Sequence, residues 1–356
     1  MKKKTYKLIA AVILIAIIAL GSFYMYRFFV QKSKKYIPVR VAESQSDICK
    51  LAYYLAIKES LYQEQKLWIK QVACPDDREA LAAIETGKAD IALVRSSSLI
   101  IKRSSDLKEG SGPVAFASLD RGTSYYLVAR EEKPLVDIQS LKEKTVITGP
   151  QDSMETIFLE ESLRNAGISP YESVTLITNI PEEIKFGALK AGTGHYLLLE
   201  EKELSPALAR GGFKVMTLKT KFPTFVCVAT EEFIKNHPET LQRFTNALYM
   251  AQTWLKHKTP AETAAALKSI PETDKDSLLS LVNRAYQSKS LSDTPFIEDK
   301  NMDLAIKTID HSRELPMPLE GSELVNNQFA EKSVKTVKYI PKDHKKPFWE
   351  KLKFWR

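Results

Sequence analysis

Three consecutive serines, Ser96, Ser97 and Ser98, have the residue type and the position to bind a small molecule. They follow residues 91–94 (Ile-Ala-Leu-Val), an apolar run without polar alternation, which predicts a strand covered on both faces. Ligands of parallel α/β sheets bind just beyond the carboxyl ends of the strands, and a serine hydroxyl both donates and accepts hydrogen bonds. The serines are therefore candidates for a binding site, with an ordinary polar loop as the alternative.

Patterns typical of catalysis or metal binding are missing from the sequence. It contains no G-x-S-x-G, no P-loop, no G-x-G-x-x-G after a strand and no H-E-x-x-H. The five histidines stand singly, without metal-ligand spacing, and the three cysteines are an odd number without a C-x-x-C pair. The sequence thus predicts a protein that is not an enzyme and uses neither a metal nor a cofactor.

The serines belong to an alternation of strand and helix patterns. Strand patterns at residues 37–42, 67–72 and 91–94 enclose helical patterns at residues 48–61 and 78–86. This βαβαβ order predicts a parallel sheet with right-handed crossovers.

A second α/β unit begins with a predicted strand at residues 145–148. The helix after it has Asp152 as a predicted N-cap, Glu155 in the matching capping-box position and Gly167 at its end. The chain returns through a predicted strand at residues 225–229, after which the pattern is almost wholly helical. The order indicates two α/β lobes followed by a helical return.

The net charge of the chain is +8, but the basic residues are concentrated at the two ends. Residues 1–35 carry eight Lys and Arg and no acid, and residues 332–356 carry nine against two acids. Removing these contributions of +8 and +7 leaves residues 36–331 at −7. Basic ends on an acidic body fit an acidic membrane surface better than nucleic acid, so no nucleic-acid partner is expected.

Residues 1–35 predict a transmembrane signal anchor followed by a linker. Four lysines precede a charge-free run from residue 8 to about residue 25, close to the roughly 20 residues that cross a bilayer, and aromatic residues follow at headgroup level. A signal peptide cleaved near Ala19-Leu20-Gly21 is the alternative. Either interpretation places the rest of the chain outside the cytoplasm, anchored to the bacterial cytoplasmic membrane or secreted.

The C-terminal tail, residues 332–356, is basic and aromatic. A helix over residues 345–356 would place four apolar side chains on one side, where they could lie in a membrane interface. These side chains are Phe348, Trp349, Leu352 and Trp355. A disordered tail, or one packed on its own protein, is the alternative, because so short a helix is unstable alone in water.

Four stretches carry a resemblance to a known family. They are EALAAIETGKADIALVRSSSL (79–99), FASLDRGTSYYLVAREE with IQSLKEKTVITGPQDSMETIFLEESLRNAGI (116–168), EEIKFGALKAGTGHYLLLEE (182–201) and FVCVATEEFIKNHPETLQRFTNALYMAQTWL (225–255). Residues 37–290 resemble type 2 periplasmic solute-binding proteins, namely the nitrate, sulfonate, taurine and thiamine-precursor receptors of ABC importers. They are also similar to the TAXI-class receptors of TRAP importers, whose I-G-P-x-G-S-G-T motif is partly matched by Gly149, Pro150 and Ser153.

The resemblance implies an α/β fold of two lobes that close on a hinge over a ligand. The first lobe would comprise residues 36–128 and 226–331, and the second would comprise residues 129–225. The crossing strands, residues 127–130 and 224–228, would form the hinge.

Matching positions in the family imply a set of ligand contacts. They are Gln45, Ser46, Asp47, Ser96, Ser97, Asp120, Ser124, Asp152, Ser153 and Glu200. A helix N-cap is the alternative role for Ser46 or Asp47. Anion-binding relatives use free N–H groups at the second-lobe helix that begins here with Asp152, but its carboxylate and that of Glu155 would occupy these donors. A neutral or cationic ligand, aromatic or amine-bearing, is therefore expected.

These features together predict a monomeric extracytoplasmic receptor that delivers a small organic solute to the membrane subunits of an ABC or TRAP importer. A ligand-sensing or scaffolding ectodomain without transport is the alternative. It is favoured by two departures from the family, Glu200 in place of Trp and His195 in place of Asp, which alter the cleft wall. An enzyme of this fold, such as a thiamine-precursor synthase, would need a cysteine-rich stretch that the chain lacks.

Overall fold

The computed structural model describes residues 36–44, 46–105, 112–132, 137–268, 275–310 and 315–341. The predicted N-terminal membrane helix and the tail residues Phe348, Trp349, Leu352 and Trp355 lie outside these ranges, as does Gln45. Among the residues that are described, none of the helices combines the length and the apolar character that a membrane crossing requires.

Ten strands and fourteen α-helices follow one another in these ranges. The strands are β1 (Ile37–Glu43), β2 (Leu67–Ala73), β3 (Ile91–Arg95), β4 (Pro113–Ser118), β5 (Ser124–Ala129), β6 (Thr145–Ile147), β7 (Thr175–Ile177), β8 (Tyr196–Leu199), β9 (Phe213–Lys219) and β10 (Phe225–Thr230). The helices are α1 (Leu51–Lys58), α2 (Leu61–Glu64), α3 (Asp77–Glu85), α4 (Ser96–Ser105), α5 (Met154–Asn165), α6 (Glu182–Lys190), α7 (Glu201–Ala209), α8 (Glu231–Asn236), α9 (Pro238–His257), α10 (Pro260–Leu267), α11 (Lys275–Gln287), α12 (Asp299–Ile309), α13 (Gly321–Leu324) and α14 (Gln328–Thr336). Short 3₁₀ helices lie at Ile48–Lys50 and Ile138–Leu141.

The strands form two five-stranded sheets, ordered β2-β1-β3-β10-β4 and β7-β6-β8-β5-β9. In the first sheet, β10 runs antiparallel between β3 and β4, and in the second sheet β5 runs antiparallel between β8 and β9. Each inserted strand comes directly after a passage of the chain from the other sheet. The two sheets, with their helices, are the two lobes of an α/β architecture, which confirms the predicted fold class at this level.

The chain passes between the lobes at residues 119–123 and again at residues 220–224. The expected hinge lay at residues 127–130 and 224–228, and the expected boundary at residue 128 placed β5 in the first lobe. The structure instead pairs β5 with β8 and β9 of the second sheet. All six residues of β5 are buried, so no polar alternation in the sequence indicates which sheet receives the strand.

Buried strands make up the core of each lobe. Residues 91–94 of β3 are fully buried, as the apolar run predicts. In the second lobe, successive residues of β5 alternate between the two faces of the sheet, so that Leu127 packs in one apolar cluster and Val128 in the other. Burying each such side chain stabilises the fold by about 1.5–3 kcal/mol.

The starts of two helices differ from the sequence expectation. The serines after β3 begin α4 directly, so the polar-loop alternative is wrong. The N-cap of α5 is Ser153, whose side-chain oxygen accepts from the N–H of Thr156, and Asp152 before it is exposed. Glu155 makes no capping box and is buried. Gly167, with φ of +72°, follows the end of α5 as predicted.

Candidate ligand-binding site

A cavity of about 80 Å³ lies between the two lobes. Its walls come from the ends of first-lobe strands, from both passages of the chain between the lobes, and from the second lobe after β8. The lining residues are Ser46, Asp47, Ile48, Arg95, Ser96, Ser97, Thr123, Tyr125, Met154, Glu200, Glu201, Lys202, Thr220, Phe222, Thr224, Phe225 and Leu281. The cavity therefore occupies the cleft in which the family resemblance places a ligand.

The lobes touch on both sides of this cavity. On one side α12 of the first lobe packs against α5 of the second, and Met154 and Phe158 of α5 contact the apolar core of the first lobe. On the other side α11 of the first lobe packs against α7 of the second. The structure therefore has the two lobes in contact with each other around the cavity.

Aromatic rings line the cavity near the hinge. Tyr125 lies in β5, directly after the passage into the second lobe, and Phe222 lies on the return passage. The ring of Phe158 bridges them, with centroid distances of 5.7 Å to Tyr125 and 6.3 Å to Phe222. Such a wall offers an apolar or aromatic ligand a stacking surface.

Two cations lie beside the ring of Phe225, and each of them is paired with a carboxylate of the first lobe. The Nζ atom of Lys50 lies 4.8 Å from the ring centroid, and the Arg95 guanidinium lies 5.3 Å from it. Lys50 is fully buried, 3.9 Å from the Glu43 carboxylate, and Arg95 Nη1 donates to Asp77 at 3.3 Å. These cations therefore bring little net positive charge to the cavity.

The first-lobe wall contains four of the predicted contacts. Ser46 and Asp47 line the cavity, and Asp47 is also the N-cap of the 3₁₀ helix Ile48–Lys50, its Oδ1 accepting from Cys49 N–H at 2.8 Å. The alternative role for Asp47 is thus also present.

Ser96 and Ser97 complete this wall, although Ser96 Oγ already donates to the Pro223 carbonyl at 2.8 Å. The neighbouring Ser98 is turned away and donates to Asp77 at 3.0 Å. Two of the three serines therefore reach the cavity.

The second-lobe wall contains two carboxylates, those of Glu200 and Glu201. Glu200 follows β8 at the cavity, as predicted, with Lys202 Nζ at 3.6 Å. Burial, followed by the charge of Glu200, raises the pKa of Glu155 to about 7, although Lys185 lies 3.4 Å away. The charge of Glu200 thus reaches the buried Glu155, which lies behind the cavity lining.

The predicted contact Asp120 instead joins the two passages between the lobes. Its buried carboxylate accepts the N–H of Gly122 at 2.7 Å, that of Thr224 at 2.8 Å and that of Phe225 at 2.7 Å. Burial raises the pKa of Asp120 to about 7 despite these hydrogen bonds. Asp120 does not line the cavity, and its role is to hold the hinge segments together.

Three further predicted contacts also lie off the cavity. Ser124 is buried at the start of β5, and Asp152 is exposed before α5. Ser153 caps α5 and donates its hydroxyl proton to Thr156 Oγ1 at 3.1 Å. Because Ser153 supplies the cap, Asp152 and Glu155 do not occupy the helix N–H groups as expected.

Sequence reasoning missed much of the lining. Arg95 is adjacent to the serines and could have been found by extending that motif by one residue. Thr224 and Phe222 lie on the return passage. The buried hydroxyl of Thr224 has no hydrogen-bond partner among the described residues. No motif marks that passage, and only the fold brings it to the cavity.

Within the ranges that the structure describes, no group of three or more His, Cys, Asp or Glu side chains is arranged to hold a metal ion.

Comparison with known proteins identifies the family. The sequence model described as NMT1/THI5 like matches residues 50–262, more than half of the chain. The chain belongs to the NMT1/THI5-like family. The Bacillus subtilis (strain 168) protein YtlA, whose name describes a candidate binding protein, is 28% identical to this member over 302 residues, which are 83% of this chain and 89% of YtlA.

Solved structures share the fold of this NMT1/THI5-like protein. One is the sulfonate-binding protein SsuA of Methylobacillus flagellatus KT, which is described as part of a candidate sulfonate ABC transporter. It superposes on this chain with a TM-score of 0.65 at 16% sequence identity, and the match covers 85% of this chain and 94% of SsuA. The nitrate-binding protein NrtA of Synechocystis PCC 6803 gives 0.64 at 11% identity, covering 85% and 90%. The protein therefore has the periplasmic-binding-protein fold, and its relatives are named as binding proteins rather than enzymes.

Proposed function

We propose that the protein is an extracytoplasmic receptor that captures a small solute between its lobes and delivers it to a membrane importer. The observation that carries this proposal is the enclosed cavity, which both lobes and both hinge passages line. Closure of two lobes over a solute needs no covalent chemistry, since a solute that binds the closed form more tightly than the open form adds to the stability of the closed form.

The solute is small and either neutral or cationic. A cavity of about 80 Å³ has room for several water-sized groups, which favours a small solute. Glu200 and Asp47 offer carboxylates to an amine, and Thr224 offers a free hydroxyl. The cations at Phe225 are paired with first-lobe carboxylates, so an anionic solute would meet net repulsion.

Delivery to an ABC importer is supported by the fold shared with SsuA, which is described as part of an ABC transporter. We place the receptor outside the cytoplasm, anchored through residues 1–35. A TRAP importer of the TAXI class remains the second transport hypothesis, because of the Gly149-Pro150 match.

A ligand-sensing ectodomain is the second candidate function, because a cavity that closes over a solute serves sensing as well as transport. His195 does not strengthen it, since Nδ1 of this residue accepts from Thr145 N–H at 3.0 Å, away from the cavity lining. Affinity capture of the full chain from crosslinked membranes distinguishes the two functions, with permease subunits expected for a transport receptor.

Native mass spectrometry of the full chain, purified without denaturation, tests capture directly. We expect a bound solute of small mass, and we expect the same solute to raise the unfolding temperature of the solute-free protein. Glu200→Gln should weaken binding at least tenfold, whereas Glu239→Gln, an exposed change on α9 outside the cavity lining, should not. Lack of stabilisation by any amine, pyrimidine, sulfonate or carboxylate would contradict the proposal.

A further inference from the structure

Arg284 connects the two lobes beside the cavity. Arg284 of α11 donates from Nε to the Glu201 carboxylate, from Nη2 to the Glu201 carbonyl at 3.2 Å, and from Nη1 to Ser205 Oγ at 2.6 Å. Glu201 and Ser205 belong to α7 of the second lobe. The contact is mostly withdrawn from water, since the side chains of Arg284 and Glu201 are 16% and 12% exposed.

The helix that carries Arg284 is fixed to the first lobe. The Tyr286 hydroxyl donates to the Leu255 carbonyl of α9 at 2.9 Å and lies 2.8 Å from Thr263 Oγ1 of α10. Leu278 and Val282 of α11 are buried. A movement that opens the cleft therefore carries Arg284 away from α7 instead of bending α11.

The second-lobe partner is equally well held. The Tyr126 hydroxyl of β5 donates to the other oxygen of the Glu201 carboxylate. Glu201 is thus oriented by its own lobe before Arg284 arrives, which lowers the entropy lost when the pair forms.

The same helix supplies part of the cavity wall. Leu281 lines the cavity and lies three residues before Arg284, on the same side of α11. Holding Arg284 against α7 therefore also holds Leu281 over the solute space.

We propose that Arg284 is a positioning residue that latches α11 to α7 across the cleft and so stabilises the closed form, with Leu281 in the cavity wall, even before a solute binds. The role as part of solute capture rests on the proposed function, but the latch itself is a property of the solute-free chain.

Electron–electron distance measurements between one spin label in each lobe test the latch without any ligand. Labels are attached to Lys70→Cys of the first lobe and Glu172→Cys of the second, both exposed positions, with Cys74→Ser removing the partly exposed native thiol. The full chain is measured in lipid nanodiscs, free of solute.

We expect the closed distance to dominate in the labelled parent. Arg284→Gln and Glu201→Gln should each lower the ratio of closed to open molecules at least fivefold. The double variant should lower it no further than Arg284→Gln alone, because the Glu201 carboxylate then has no guanidinium to bind. Arg284→Lys should restore part of the loss.

Arg243→Gln is the matched control, because Arg243 forms an ion pair of 2.6 Å with Glu239 within α9 of the first lobe. It should leave the distances unchanged. Distances in both single variants that superpose on the parent, or additive losses in the double variant, would overturn the latch. Failure to find a solute would instead count against the proposed function and leave this result standing.

Discussion

The carboxyl group of Asp120 shows how a residue at the hinge can resemble a ligand contact in the sequence. Its two oxygens accept three backbone N–H groups, and two of these groups, from Thr224 and Phe225, lie on the opposite passage. The carboxylate therefore links the outgoing and returning segments at the point where the chain crosses between the lobes. A ligand would have to displace these hydrogen bonds to reach it.

Asp120 should make the stability of the protein depend on pH. Its pKa is raised from 3.8 to about 7 by burial. Between these values the folded state binds more protons than the unfolded state, so stability falls as pH rises. The part of this dependence that falls between pH 5 and pH 8 is about 2–3 kcal/mol, and urea unfolding of the full chain at these two pH values measures it.

Asp120→Asn is the control for this pH dependence. It removes the titrating group while keeping one oxygen acceptor, so part of the slope between pH 5 and pH 8 should vanish. Glu155, whose pKa is also raised to about 7 by burial, should contribute to the slope that remains. A variant with the same pH profile as the parent would show that Asp120 does not titrate in this range.

Sequence reasoning could predict cavity residues where local pattern fixes their place. Ser46, Asp47, Ser96, Ser97 and Glu200 each follow a strand, and the carboxyl ends of strands meet at the cleft. It could not separate them from Asp120, because an aspartate in a polar loop looks the same whether it accepts from a ligand or from backbone.

At the scale of elements, a buried ion pair joins two helices of the second lobe. Lys185 of α6 and Glu155 of α5 are both buried, with Nζ and Oε1 3.4 Å apart. The sequence suggested a cap role for Glu155 because its spacing from Asp152 fits a capping box. The helix begins one residue later than that spacing assumed, and this shift places the carboxylate in the interior.

Lys185→Met should destabilise the protein by roughly 3 kcal/mol at pH 8, because it leaves the Glu155 carboxylate buried without its partner. At pH 5 the cost should be smaller, since Glu155, with a pKa near 7, is then protonated. Urea unfolding at both pH values measures the difference.

The double variant Lys185→Met with Glu155→Gln completes the cycle. It removes both charges and should recover most of the stability lost at pH 8. Equal costs of Lys185→Met at the two pH values would show that the ion pair does not hold α5 to α6.

At the scale of the whole molecule, the position of the cavity depends on where the chain crosses between the lobes, before β5 and again before β10. The alternation of strands and helices was enough to predict two α/β lobes, and the apolar run of β3 was placed correctly. The positions of β5 and β10 depend on pairing between distant segments, which local patterns do not contain. The predicted hinge was therefore displaced along the chain, and the lining contributed by the return passage, including Phe222, was missed.

The two passages between the lobes meet at Gly122, and a substitution of this glycine tests the hinge. Its φ is +129°, a conformation open almost only to glycine. A Cβ atom there would lie 2.6 Å from Thr220 Oγ1 and 2.7 Å from the Thr220 carbonyl oxygen. Thr220 also pairs with the outgoing passage, its N–H donating to the Thr123 carbonyl at 3.0 Å. The two segments therefore leave no room for a side chain.

Gly122→Ala should lower the free energy of unfolding by roughly 2–3 kcal/mol and reduce the closed fraction in the interlobe distance measurement, because the passages must separate. Gly87→Ala is the matched control, since Gly87 also has a positive φ, +69°, but no atom lies within 4 Å of the added Cβ. It should cost only about 1–2 kcal/mol and leave the closed fraction unchanged. If the closed fraction of the Gly122→Ala variant equalled that of Gly87→Ala, the contact between the two passages would not control the relative position of the lobes.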